Sequence, residues 1–158
     1  EFHVIGRCPD ESNGVGGTQA FTTQPAAAQL TRDDFIRGVA LLHFVVLPYE
    51  AAQYTQTASG VLLDAIAWRK PVIARKIPIF EAMFDRYGDI GYLFSDAAEL
   101  TKIVEGIVRS PDSSRYGRQV RNLGIAKTSR SPETLASAYR DICRRNGTPL
   151  PAAARDPE

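Results

Sequence analysis

The sequence predicts an α/β fold in which helices flank a parallel sheet. Short apolar runs alternate along the chain with stretches of helical periodicity, which is the order that strand–helix–strand units produce. The run His43–Leu47 is continuous rather than alternating and stops at Pro48, which is typical of a strand that is covered on both faces. The length of 158 residues suits one domain with one core.

The first third of the chain is predicted to hold few regular elements. Phe2–Ile5 has the composition of a short strand, and residues 7–29 carry the turn signals and polar residues of a long loop. Thr31, with an acid three residues later, predicts a cap and a helix that runs to about Ala40. After the first buried strand, residues 49–58 are predicted to form a second polar loop.

The middle of the chain continues the alternation. Gly60–Arg69 is predicted to be a helix and Pro71–Ala74 a second buried strand. Ile79–Tyr87 follows as a short helix, and Gly91–Phe94 as a third strand. The residues predicted to face the core from the first of these helices are Leu62, Leu63, Ile66 and Ala67.

Three more helices are predicted to complete the chain. Asp96 caps the first, with Glu99 in position for a capping box, and Pro111 ends it. Asp112–Lys127 and Pro132–Arg145 follow as the last two helices. The residues predicted to form the core face of the Asp96-capped helix are Leu100, Ile103, Val104, Ile107 and Val108.

Composition and charge narrow the classes of function. The chain is 44% apolar and 23% charged, which is typical of a soluble globular domain. A net charge of +1 supplies no bulk field to recruit nucleic acid or an anionic membrane, and no apolar run approaches the ~20 residues of a membrane span. Cys8 and Cys143 lie outside any Cys/His cluster, which favours two reduced thiols in a cytoplasmic protein over a disulfide or a metal site.

The turn Ser59-Gly60 is the candidate for binding chemistry. Open α/β sheets bind ligands at the carboxyl ends of their strands, and a helix N-terminus offers free N–H groups and partial positive charge to an anion. The two small residues let a phosphate approach the backbone, and Ser59 can donate its hydroxyl. Asp64, about one turn further along, could accept hydrogen bonds from two ribose hydroxyls. The alternative is that Ser59 is only an N-cap and Asp64 a solvated acid.

A wider pattern is carried by six segments: His3–Arg7, Val45–Tyr49, Ala58–Ala67, Lys70–Ala74, Phe80-Glu81 and Gly88–Phe94. This pattern resembles the C-terminal domain of the GT-B glycosyltransferases of family 4, in which an apolar strand ends in Pro-Ser or Pro-Tyr, a helix ends in Glu-Ala-x-Ala-x-Gly, and Lys-Pro-Val-Ile-Ala follows. The resemblance covers most of residues 2–145 and implies a Rossmann-like, nucleotide-sugar-binding domain over residues 1–147. The glycine and proline residues after Asn146 predict a disordered tail over residues 148–158.

The resemblance implies a role for each matching position. Ser59 and Gly60 correspond to the small residues that bind the donor diphosphate, and Asp64 to the glutamate that binds the donor ribose. The family's first glutamate, eight positions earlier, is Gln56 here. The substrate would be a nucleoside-diphosphate sugar, with no cofactor and no metal. The residues left for the donor sugar are Gln56, Tyr54 and Thr55.

Four other positions bear on the site. Glu81 lies where the family often has an acid near the donor, and Arg75 follows the second buried strand, although a solvated loop charge is the alternative for Arg75. His43 begins the first buried strand and is predicted to be structural rather than catalytic. The family's glycine before Pro-Val-Ile is replaced by Arg69 or Lys70, depending on the count.

The function that the resemblance implies is that of the donor-binding domain of a retaining, hexosyltransferase-like glycosyltransferase. The chain does not begin with Met and opens within a predicted strand, so we expect a piece of a longer protein whose acceptor-binding domain comes earlier. The isolated chain should then bind donor without turnover, in the cytoplasm or at a membrane reached through the missing part. Two alternatives remain: a non-catalytic GT-B-like module, which would explain Gln56, and a GT-B-type sugar-nucleotide epimerase.

Overall fold

The computed structural model describes His3, residues 31–49 and residues 59–147. In these ranges the chain forms a parallel sheet, as the sequence predicts. Its strands, in their order across the sheet, are β1 (Val45–Leu47), β2 (Val72–Arg75) and β3 (Gly91–Phe94). The helices are α1 (Arg32–Leu41), α2 (Gly60–Ala67), α3 (Pro78–Tyr87), α4 (Ala97–Arg109), α5 (Ser113–Ser129) and α6 (Pro132–Arg145).

The sheet has one well-covered face. Strand residues alternate between the two faces, and Leu47 and Ala74, which are register partners, both belong to the main core. Helices α2, α3 and α5 supply the rest of that core, with Phe80 of α3 and Leu123 of α5 fully buried. Gly91 opens β3 opposite Val72, and any Cβ at this position would overlap the Val72 carbonyl.

The predicted helix caps are confirmed. The Thr31 hydroxyl accepts a hydrogen bond from the Asp34 N–H at 3.2 Å and begins α1. At α4, Asp96 accepts from the Glu99 N–H at 2.8 Å, while the Glu99 carboxylate reaches back to the Ser95 N–H at 2.7 Å. Such reciprocal pairing satisfies donors that the first turn of a helix leaves without partners.

The first two strands differ from their predicted bounds. Pro71 has no N–H to give to a ladder; its carbonyl accepts from the Val45 N–H at 3.0 Å, so pairing begins one residue later on β2 and at Val45 on β1. The prediction that β1 is covered on both faces was wrong, since Val46 is 41% exposed. The prediction that His43 begins the strand was also wrong, because His43 precedes β1 and is exposed; that it is structural rather than catalytic stays a prediction.

Two predicted core faces are also corrected. On α2, which ends at Ala67 rather than Arg69, Leu63 is 45% exposed and Ala67 is exposed, whereas Ala65 is buried. Helix α4 has no fully buried residue, and its Val108 is 70% exposed. Helix α4 packs mainly on β3, and Ile103, Val104 and Ile107 on its apolar face are half-buried rather than fully buried.

The end of α2 is a Schellman motif with arginine in the position that usually holds glycine. The Lys70 N–H donates to the Ala65 carbonyl at 2.8 Å, and the Arg69 N–H donates to the Ile66 carbonyl at 3.1 Å, which is the pair of bonds that defines the motif. Arg69 has φ +53°, a left-handed conformation that costs a residue with a Cβ about 1 kcal/mol or more. Glycine would adopt this conformation at position 69 without that cost.

Asp89 ties α5 to the start of β3. Its carboxylate accepts from Gln119 Nε2 at 2.9 Å and forms ion pairs with Arg115 at 3.1 Å and Arg118 at 3.2 Å. Partial burial raises the pKa of Asp89, but the hydrogen bonds from Gln119 and Arg115 and the nearby positive charge outweigh it and lower the pKa below its ordinary value. The Arg115 guanidinium also lies 4.0 Å from the centre of the Tyr92 ring. This network holds α5 in register with the sheet.

Candidate functional site

Ser59 shapes the turn that begins α2. It is 3% exposed and has extended backbone angles, φ −78° and ψ 111°. Its Oγ accepts from the Leu62 N–H at 3.1 Å and donates to the Tyr49 hydroxyl at 3.4 Å. The hydroxyl is thus an N-cap, the local role that the sequence left open, and it is not directed to solvent.

The start of α2 carries backbone N–H groups that have no partner within the helix. They include Gly60, as the sequence indicates, and Val61. Among the described residues, none accepts a hydrogen bond from the N–H of Gly60 or Val61, because the first turn of a helix has no carbonyl to offer them. A Cβ placed on Gly60 would meet no described atom within 4 Å. The start of α2 therefore presents two backbone donors and the positive end of the helix dipole.

Tyr49 is a site residue for which sequence reasoning gave no role. It comes just after β1, and its ring stacks on Phe80 of α3, with the ring centres 6.0 Å apart. Because its hydroxyl also contacts Ser59, Tyr49 connects the α2 turn to the buried core. The Pro48-Tyr49 pair at the end of an apolar strand was the signal available in the sequence.

Asp64 lies one turn into α2 and is half-buried. With Val61 and Ala65 it lines an apolar groove of about 790 Å³ on the less covered face of the sheet. The floor and far side of the groove come from β1–β3 and α4, through Val46, Ile73, Tyr92 and Val104. The Asp64 carboxylate is thus placed on the side of α2 that borders this groove.

The two further candidates lie at the same edge of the sheet. Arg75 is the last residue of β2, and Glu81 lies in the first turn of α3. Between them, Lys76 has its Nζ 3.9 Å from the Glu81 carboxylate, and both side chains are about half exposed. The carboxyl ends of parallel strands meet at one edge, so these charges share an edge with Tyr49 and the start of α2.

The three residues predicted to bind the donor sugar, Tyr54, Thr55 and Gln56, lie outside the described residues. The predicted strand Phe2–Ile5 is described only at His3, and the predicted tail 148–158 not at all. Of the two cysteines, Cys143 is buried and free, while Cys8 lies in the undescribed part. In the described ranges, no cluster of three or more His, Cys, Asp or Glu is arranged for a metal ion.

Comparison of the chain with known protein families, curated proteins and solved structures identifies no relative. No family model matches the chain, and neither the curated proteins nor the solved structures include a significant match. None of the helices between residues 31 and 147 is long and apolar enough to cross a bilayer.

Proposed function

We propose that this chain is the donor-binding part of a retaining glycosyltransferase and that the start of α2 holds the diphosphate of a nucleoside-diphosphate sugar. The observation that carries the proposal is the position of α2: its N-terminus lies at the carboxyl edge of a parallel sheet, and no described residue accepts a hydrogen bond from the N–H groups of Gly60 and Val61. Ligands bind at this place in open α/β sheets.

The backbone at Arg69 supports the family resemblance on which the proposal depends. Arg69 stands at one of the two positions where the resemblance places the family's glycine, and it has φ +53° and completes a Schellman motif, as a glycine there would. Many unrelated helices end in the same way, so this conformation is consistent with the resemblance and does not by itself establish it.

The proposed chemistry is electrostatic. As the bond between sugar and diphosphate breaks, negative charge grows on the leaving diphosphate, and fixed N–H donors stabilise it without reorganising. Asp64 would accept hydrogen bonds from the ribose, and Gln56, with Tyr54 or Thr55, would contact the sugar. No nucleophilic side chain is assigned. The acceptor would be bound by another part of a longer protein, so this chain alone should bind donor without turnover.

A non-catalytic module is the second candidate, because the family's acidic pair reads Gln56 and Asp64 here. An uncharged amide can hydrogen-bond a sugar hydroxyl but cannot supply the charge of a carboxylate. This candidate predicts that the chain binds no donor. The epimerase alternative needs a further carboxylate and histidine set, and nothing in the described residues favours it.

Calorimetric titration of the chain with UDP, GDP and ADP tests the proposal. We expect one of these nucleotides to bind and Asp64→Ala to weaken it about tenfold, since hydrogen bonds to a charged group contribute about 1.5–3 kcal/mol. Asp33→Ala is the matched control, because Asp33 is an exposed acid in the first turn of α1. Failure of all three nucleotides to bind, or equal losses in the two variants, would reject the site. Gln56→Ala should weaken a nucleotide sugar more than the free nucleotide.

A further inference from the structure

Helix α5 carries a basic surface that the proposed function does not use. Residues 115–130 contain five basic residues and no acid. Their roles differ: Arg115 and Arg118 pair with Asp89, and Arg130 has its Nε buried. Arg121 and Lys127 are exposed, and Arg121 has no ion pair with any described residue. Arg115 and Arg118 thus share the single charge of Asp89, while Arg121 and Lys127 add exposed positive charge further along α5.

A basic residue at the end of α2 adds to the positive charge of α5. Lys127 donates from Nζ to the Ala67 carbonyl at 2.9 Å, which brings the C-terminal end of α2 against α5. Arg69 follows two residues later, and its Cδ lies 3.8 Å from the position that a Cβ on Gly124 would occupy. Arg69 and Lys127 thus lie where the end of α2 meets α5, and the exposed Arg121 lies about one turn before Gly124 on α5, while Asp64 of α2 borders the groove instead.

Large apolar side chains accompany these charges. Ile125, next to Gly124, is 64% exposed, and Trp68, next to Arg69, is 38% exposed. We call Trp68, Arg69, Arg121, Ile125 and Lys127 the α2–α5 surface. Exposed aliphatic and indole side chains accompanied by cations are characteristic of surfaces that rest on the headgroup layer of an anionic bilayer.

We propose that the α2–α5 surface docks onto anionic membrane lipids. Cations draw the protein to the negative lipid surface, at about 1 kcal/mol for each basic side chain near it. Ile125 and Trp68 then enter the interfacial layer, where the amphipathic indole is favoured. A nucleic acid offers the same phosphate charge but no apolar layer for Ile125, so the lipid surface is the better complement.

Trp68 is the single tryptophan of the chain, so its fluorescence reports the contact directly. We expect phosphatidylserine-containing vesicles to shift its emission to the blue and to co-sediment with the full chain at low salt. Pure phosphatidylcholine vesicles should do neither. A single-stranded RNA oligonucleotide serves as the polyanion arm. Absence of vesicle binding, equal binding to both vesicle types, or binding to RNA alone would overturn the proposal.

Two variants and one control distinguish binding through the α2–α5 surface from binding through the overall positive charge of the chain. Arg121→Gln should lower the vesicle partition coefficient about fivefold, the equivalent of about 1 kcal/mol. Lys102→Gln is the control, because it makes the same charge change on an exposed residue of α4. The apolar face of α4 lines the groove on the opposite side of the sheet, so Lys102→Gln should leave the partition coefficient unchanged. Ile125→Ser, which keeps the net charge, should also weaken binding several-fold. Equal effects of Arg121→Gln and Lys102→Gln, or no effect of Ile125→Ser, would reject a docked α2–α5 surface.

Discussion

Replacing Gly60 by proline removes one backbone donor from the start of α2 while preserving the helix. Gly60 is the first helical residue, where proline is favoured because its missing N–H has no partner within the helix. The preceding residue, Ser59, already has the extended backbone that proline requires, at φ −78° and ψ 111°. Since a Cβ on Gly60 would meet no described atom within 4 Å, we expect the variant to fold normally.

The size of the effect follows from the kind of bond that is lost. A hydrogen bond from an N–H to a charged phosphate contributes about 1.5–3 kcal/mol, so Gly60→Pro should weaken nucleoside diphosphate binding roughly 10- to 150-fold. Gly60→Ala keeps the N–H and adds only a methyl group, so it is the control for shape. Calorimetry gives both dissociation constants, and urea denaturation checks the fold. If the two variants bind the nucleotide equally well, the Gly60 N–H is not a diphosphate donor.

Two further predictions concern stability. Arg69→Gly should raise the free energy of unfolding by about 1 kcal/mol, because glycine adopts φ +53° without the cost of a Cβ. Arg69→Ala should leave the free energy of unfolding, measured by urea denaturation, nearly unchanged. An equal gain in both variants would contradict the explanation from backbone conformation. Asp89→Asn should cost about 2 kcal/mol at neutral pH, through lost hydrogen bonds and ion pairs with Gln119 and Arg115. Because the pKa of Asp89 is lowered on folding, its contribution is present above the unfolded-state pKa and is lost as the pH falls below about 4. The difference between wild type and Asp89→Asn should therefore shrink in acid, and a constant difference would show that the carboxylate charge has no part in it.

Local signals account for the elements that the sequence predicted well. The caps at Thr31 and Asp96 depend on residues within four positions of each other, and the parallel sheet follows from the order of apolar and helical stretches. The predictions that failed concern the burial of side chains by elements that are distant in sequence. Nothing near Val46 or Val108 in the sequence indicates that little packs over them, and both are left exposed.

The candidate site shows the same division. Ser59, Gly60 and Asp64 belong to one turn and the helix it begins, so their grouping was readable from spacing alone. The contact from Ser59 to Tyr49, and from Tyr49 to Phe80, joins residues that are far apart in the chain. Sequence spacing carried no signal for it, and only the folded chain reveals which groups hold the turn in place.

The most direct test of a diphosphate site at the start of α2 is an amide-resolved NMR titration of the chain with a nucleoside diphosphate. If the start of α2 binds the diphosphate, the largest chemical-shift changes fall on the amides of Gly60 and Val61 and spread along α2 to Asp64. Saturable changes confined to the groove residues Ile73, Tyr92 and Val104, with the α2 amides unmoved, would contradict it.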